Sequence, residues 1–213
     1  CYNLFMKKEV SDISLKILDV IKSCNSILLH CHPNPDPDSV GSVLAMKIAL
    51  EKLGKKVTVI RGDTEIPIAF RHFPKANEII EKNFFEINKD DFDLFIILDS
   101  GSKEMISRKG EVVFGDKMRT INIDHHASNP GYAEINLVDS SYSSNAQLVF
   151  DLITSWGIEI NHKMAINLFI GMYTDTGGFK YETVTSETYQ IASELVKIAP
   201  DFHKYIFEME NSN

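Results

Sequence analysis

The chain has 213 residues, 44% of them apolar, enough to bury a full core, so one large domain is expected and a disordered or fibrous chain is excluded. Its formal charge of −8 argues against a broad basic surface for long nucleic acid. Apolar runs such as Leu94 to Leu98 are far too short to cross a bilayer, so no membrane association is expected.

The opening residues lack a charged start followed by a long apolar run, so no secretory signal is expected. A chain that begins at Cys1 rather than Met reads as a piece of a longer protein. Cys1, Cys24 and Cys31 form no CxxC pair and leave an odd count, which points away from disulfides and toward a reducing cytoplasm.

In chain order, β-rich runs predict strands over Ser26–His30, Lys56–Arg61, Asp93–Leu98, Arg119–Ile123 and Ala133–Val138. Between the first two, Val40, Val43, Leu44, Ile48 and Leu53 recur at helical intervals, and Gly54 closes that helix. Further helices are predicted over Ser143–Trp156, Met164–Met172 and Ser186–Ile198, the last ending before Pro200. No repeat, low-complexity run or Gly/Ser linker marks a boundary within residues 1–200. The alternation implies an α/β fold, a doubly wound, mostly parallel sheet flanked by helices. Ligands of such sheets sit at the carboxyl ends of the strands.

Four segments place carboxylates or imidazoles just after apolar runs: HPNPDPDSVGS at 32–42, ILDSGS at 97–102, IDHH at 123–126 and TDTGGF at 174–179. Aspartates cap helices and shape turns for purely structural reasons, so each segment taken singly has a bland explanation. Together they do not. Prolines at 33, 35 and 37 make the first loop stiff and extended, and residues two apart in an extended stretch point the same way. Asp36 and Asp38 then present adjacent carboxylates, which repel unless a cation lies between them. Gly41 and Ser42 are read as the helix opening, whose free amides suit a phosphate. Asp99 ends the most apolar strand, and Asp124, His125 and His126 end the next. Mixed imidazole and carboxylate donors suit Mn²⁺ better than a thiolate-preferring structural zinc. Asp36, Asp38, Asp99 and Asp175 match the charge of two divalent cations, which would bring the chain from −8 to −4.

The segments, in order, resemble the motifs of the DHH phosphoesterase superfamily, most closely its oligoribonuclease and phosphoadenosine-phosphate phosphatase (nano-RNase, RecJ-like) branch. HxxPDxDxxGS is realised by His32, Pro35, Asp36, Asp38, Gly41 and Ser42, and the signature DHH by Asp124, His125 and His126. The resemblance implies that residues 1–200 form the catalytic domain. One metal would be held by His32, Asp36 and Asp99, the other by Asp38, Asp99, His125 and Asp175. Asp99 bridges them, at ~3.5–4 Å between metals in such pairs. Two Mn²⁺ ions are expected, with Mg²⁺ or Co²⁺ as alternatives, and a hydroxide shared between them as nucleophile. His126 is then the substrate-phosphate contact or proton donor to the leaving oxygen, and Asp124 orients a neighbouring imidazole. Ser42 and Lys180 are expected to bind substrate. Lys180 stands where relatives carry arginine, and it lacks the bidentate fork. Asn145 stands where relatives have Ser or Thr.

Other polar residues are read as structural. His30 belongs to its strand or supports His32, Cys31 is a core thiol, and His72, His162 and His203 lie outside the motifs. Asn129 and Ser144 fit the pocket edge and ordinary turn chemistry equally. Relatives carry a second, C-terminal domain with a glycine-rich basic motif; no GGGH-like run occurs here, so residues 201–213 are expected to begin a connecting helix toward it. The function implied is two-metal hydrolysis of short oligoribonucleotides or nucleotide 3′-phosphates. The alternatives are a family II-type pyrophosphatase, a cyclic-dinucleotide phosphodiesterase and a non-catalytic nucleotide-binding module. The partner is a short RNA or nucleotide, and homo-oligomerisation is left open.

Overall fold

The computed structural model describes residues 8–212. Cys1 lies outside them. The described elements are α1 (Lys8–Ser23), β1 (Ser26–His30), α2 (Pro37–Lys52), β2 (Lys56–Ile60), β3 (Ile79–Ile80), β4 (Leu94–Leu98), β5 (Arg119–Asp124), β6 (Ile135–Val138), α3 (Asn145–Ser155), α4 (His162–Asp175), α5 (Ser186–Ile198) and α6 (Phe202–Asn211). α1 and the two-residue β3 have no counterpart in the sequence reading. α4 is longer at both ends than its predicted core, and its extra turn carries Asp175 as the last helical residue.

The six strands pair in parallel in the order β3-β2-β1-β4-β5-β6. The chain therefore winds outward from β1 in one direction and from β4 in the other. β1 and β4 lie side by side, with Ile27 opposite Leu94, and the gap beyond their carboxyl ends is the switch point where ligands of open α/β sheets bind.

Strand side chains alternate between two cores. Ile27, Leu29, Val59, Ile96 and Ile121 face the larger one, to which all six helices contribute. Leu28, Ile60, Phe95 and Ile97 face a smaller one covered by connecting segments that bring Phe84, Ile106 and Val112. Irregular chain covers that face, where Phe84 stacks on Phe95 at 5.7 Å between centroids.

α2 lies at the centre of the helical layer. Asp36 caps it by accepting the Ser39 amide, with Pro37 just inside its start. Every residue from Asp38 to Leu50 is buried, so this helix is not amphipathic but enclosed. It crosses α4 at two glycines. A Cβ on Gly41 would lie 2.3 Å from the Asn167 carbonyl oxygen, and one on Gly171 would lie 2.8 Å from both Ala146 Cβ and an Asp38 carboxylate oxygen.

This crossing corrects two expectations. The helix starts at Pro37, not at Gly41 and Ser42, because the third proline of the loop sits at the first helical position. Asp36 and Asp38 are therefore a cap and a first-turn residue, not alternate positions of an extended strand.

Asp151, on α3, yields a pH prediction. Burial pushes its carboxyl up to about 6, although the Tyr142 hydroxyl donates to it at 2.9 Å and favours the ionised form. A carboxyl raised above its unfolded value of ~3.9 contributes stability that is complete below that value and lost as pH rises through about 6. Asp151→Asn, which keeps an acceptor for Tyr142, is expected to match wild type at pH ~4 and exceed it by on the order of 2 kcal/mol at pH ~7.5. Thermal melts at both values check this; an equal gap at the two would refute it.

Candidate metal centre

Four loops at the carboxyl edge of the sheet deliver the site. His32 follows β1, Asp99 follows β4, Asp124 ends β5, and His125 and His126 come directly after it. Asp36 and Asp38 open α2, and Asp175 closes α4. Asp99 has φ 51°, the left-handed region, which Asp tolerates better than most residues. That turn lets its two oxygens face different imidazoles.

The imidazoles of His32 and His125 each have one nitrogen tied down and the other aimed inward. His32 Nδ1 meets the Pro33 carbonyl at 3.0 Å, leaving Nε2 3.4 Å from Asp36 Oδ2 and 3.6 Å from Asp99 Oδ2. His125 Nδ1 meets the Tyr142 carbonyl at 3.4 Å, and its Nε2 lies 3.5 Å from both Asp99 Oδ1 and Asp175 Oδ2, and 4.0 Å from Asp38 Oδ2. An Nδ1–H donated to a carbonyl leaves Nε2 as the free lone pair, the arrangement that metal-binding histidines use. His126 Nδ1 instead pairs with Asp124 Oδ1 at 2.7 Å.

The carboxylates are positioned as firmly. Asp38 is buried, and its oxygens accept the amides of Asn145 at 2.7 Å and Ala146 at 2.9 Å, the first two residues of α3. It therefore caps α3 from another helix. Asp124 is fully buried and accepts from Asn129 Nδ2 at 2.7 Å as well as pairing with His126.

The electrostatics call for positive charge. Burial, with Asp99 and Asp175 nearby, pushes the Asp38 carboxyl well above its usual range. Burial likewise raises Asp175 to about 6, helped by Asp99 and Asp36 and opposed by His125. For His125, burial acts downward, but Asp99, Asp38 and Asp175 override it and hold the imidazole at about 9. Burial also works against a raised His32, and its pairing with Asp36 and Asp99 wins. The donors fall into three overlapping groups that could hold metal: His32, Asp36 and Asp99; Asp38, His125 and Asp175; and Asp99, His125 and His126. Within each group the donor atoms lie within 4.8 Å of one another. The donor chemistry, oxygen and imidazole nitrogen without thiolate, fits divalent cations.

The fold thus brings together His32, Asp36, Asp38, Asp99, His125 and Asp175, with Asp124 and His126 alongside. Ser42 is not among them. It lies in the second turn of α2, fully buried, and its hydroxyl has no hydrogen-bond partner among the described residues. The free amides of a helix start are one turn away from it, so the reading of Ser42 as a substrate contact is corrected. Lys180 is exposed in the turn after α4, where its amide donates to Thr176, and its ammonium has no ion pair among the described residues. Asn129 proves to be the brace of Asp124 and Ser144 the cap of α3. Sequence reasoning missed the Asn145 and Ala146 amides that hold Asp38. The cue was Ser144 three residues before Gln147, a capping spacing that marks where α3 begins.

Fold and site together define an α/β protein whose sheet switch point gathers carboxylates and imidazoles suited to divalent cations. The model of the DHH family, N-terminal domain, matches residues 26–172, and the chain belongs to that family. It is 32% identical over 182 residues to a bifunctional oligoribonuclease and PAP phosphatase, NrnA, of Thermus thermophilus, covering 84% of this chain and 52% of that one. A probable enzyme of the same name from Streptococcus mutans is 28% identical, covering 92% and 60%. An exopolyphosphatase-related protein from Bacteroides fragilis superposes with TM-score 0.87 at 26% identity, covering 99% of this chain and 62% of that one. A putative family II inorganic pyrophosphatase of Methanococcus jannaschii, at TM-score 0.56 and 22% identity over 87% and 60% of the two chains, shares the fold. The chain spans about half the length of the curated relatives it matches. No helix among the described residues is long and apolar enough to cross a membrane.

Proposed function

We propose that this chain is the metal-binding catalytic part of a phosphoesterase that hydrolyses short oligoribonucleotides or nucleotide 3′-phosphates. The observation that carries it is the division of Asp99 between two donor groups, one oxygen toward His32 and the other toward His125. His32 and Asp36 complete one position and Asp38, His125 and Asp175 the other. Mn²⁺ is the cation of choice for these donors, with Mg²⁺ or Co²⁺ as alternatives. When bound, such a pair of cations lowers the pKa of water to near neutrality and offsets charge on the phosphoryl oxygens.

The chain's own residues do the rest. Asp38, braced by two amides of α3, stays in place as charge changes around it. Pairing with Asp124 raises the His126 pKa and ties up Nδ1, so Nε2 offers a proton to the leaving oxygen. Lys180 reaches the substrate phosphate from the turn beyond Asp175. The names of the NrnA relatives favour RNA oligomers and PAP as substrates. The buried free thiols Cys24 and Cys31 suit a reducing cytoplasm.

The test is hydrolysis after loading with Mn²⁺, Mg²⁺ or Co²⁺, comparing pApA, PAP, pyrophosphate and cyclic di-AMP. Preferential cleavage of pApA or PAP is expected. Preference for pyrophosphate or cyclic di-AMP, or uptake of no metal at all, would overturn the reading. Asp124→Asn should lower kcat by ~10–100-fold with metal content unchanged, the usual cost of losing a group that orients an imidazole. Unchanged kcat would remove Asp124 and His126 from the mechanism.

A further inference from the structure

A second cavity, of about 380 Å³, lies at the carboxyl ends of β2 and β3. It is large enough for one nucleotide, at the lower end of the range for small-molecule sites. Arg61, directly after β2, and Arg71 line it, and neither guanidinium has a hydrogen-bond or ion-pair partner among the described residues. Two unpaired guanidiniums sharing a concave surface are unusual in a chain of net charge −8. Arginine presents a planar fork that matches phosphate oxygens.

The remaining lining fits the rest of a nucleotide. Ile66, Ile79 and Ile80 supply an apolar wall for a base, and Asn77 supplies an amide. Glu65 and Glu81 also line the cavity but pair with neither arginine, so they are free to accept from ribose hydroxyls or an exocyclic amine.

The cavity adjoins the metal centre. Gly62, next to Arg61, is pressed against the backbone of His32, where an added Cβ would lie 2.5 Å from the His32 carbonyl oxygen. Adjacent strands are about 4.8 Å apart, so β2 and β3 lie roughly 5 and 10 Å from the end of β1. A chain of nucleotides leaving the metal centre along this edge would reach the cavity within a unit or two.

We propose that Arg61 and Arg71 form a second nucleotide subsite, which holds a phosphate of the unit beyond the scissile bond in an oligonucleotide bound at the metal centre. The assignment to the same substrate rests on the function proposed above; the affinity of the cavity for a nucleoside phosphate does not.

Two measurements test it. In chelator-treated protein, titration with AMP is expected to shift the Nε–Hε resonances of Arg61 and Arg71 saturably, and Arg61→Ala/Arg71→Ala should abolish binding without changing the melting temperature. Absence of a saturable shift, or binding that survives in the double variant, overturns the site. In the metal-loaded protein, the double variant should raise KM for a tetranucleotide by about tenfold or more while leaving kcat, and KM for PAP, near wild type. An equal effect on both substrates, or none on the tetranucleotide, overturns its place on the substrate path. Wild type that binds AMP at these arginines yet hydrolyses no nucleotide would instead sink the phosphoesterase reading and leave the site standing.

Discussion

Asp99→Asn is expected to lower metal-dependent hydrolysis by roughly 10⁴-fold, the scale seen when the carboxylate of a catalytic unit is neutralised. Asn is the right replacement because it tolerates the left-handed backbone that position 99 adopts at φ 51°, so the test isolates charge from strain. Asp99 is common to two of the three candidate donor groups, and the variant should take up less of both cations by elemental analysis. Stability of the metal-free protein should change little, because the neutral replacement relieves repulsion with Asp38 and Asp175 but gives up the pairing with His32 and His125. Loss of activity with full metal content would break the bridging assignment, and retention of activity would break the site itself.

Gly41→Ala is expected to cost about 3 kcal/mol, at the upper end of ordinary overpacking, because the added methyl meets backbone and not a movable side chain. Its Cβ would sit 2.3 Å from the Asn167 carbonyl oxygen, and the two enclosed helices cannot separate without opening the core around Leu44 and Ile170. For a domain of this size the melting temperature should fall by roughly 6–12 °C. Gly54→Ala is the control. Unlike Gly41 it has a positive φ, 76°, but nothing lies within 4 Å of its Cβ, so only the ~1–2 kcal/mol of backbone strain applies. A Gly41 variant melting no lower than the Gly54 variant would show that the helices part more easily than their packing implies.

Gly41 illustrates where local pattern stops. The HPNPDPDSVGS segment marks position 41 as special, and from the sequence its glycine and the serine after it read as a phosphate-binding helix start. The physical reason proves to be close helix crossing. Ser42 goes the same way: a hydroxyl in a motif suggests a ligand contact, whereas packing of α2 against its neighbours buries it completely.

What the sequence determined by itself is the sheet and which carboxylates and imidazoles gather at its edge. β1, β2, β4, β5 and β6 were legible as short β-branched runs, and the carboxylates and imidazoles follow those runs because a parallel strand must emerge at the edge where its ligands sit. α5 was legible to the residue, since its amphipathic stripe is bounded by the Thr185 cap and Pro200. What only the tertiary structure decided is how those donors are held. Asp38 is fixed by amides 107 and 108 positions away, and Asp99 divides its oxygens because one turn places it between β1 and β5. The order of strands, the irregular cover of the second sheet face and the cavity beside Arg61 and Arg71 are likewise products of long-range packing. Such contacts leave no period in the chain, because their partners are set by folding and not by spacing.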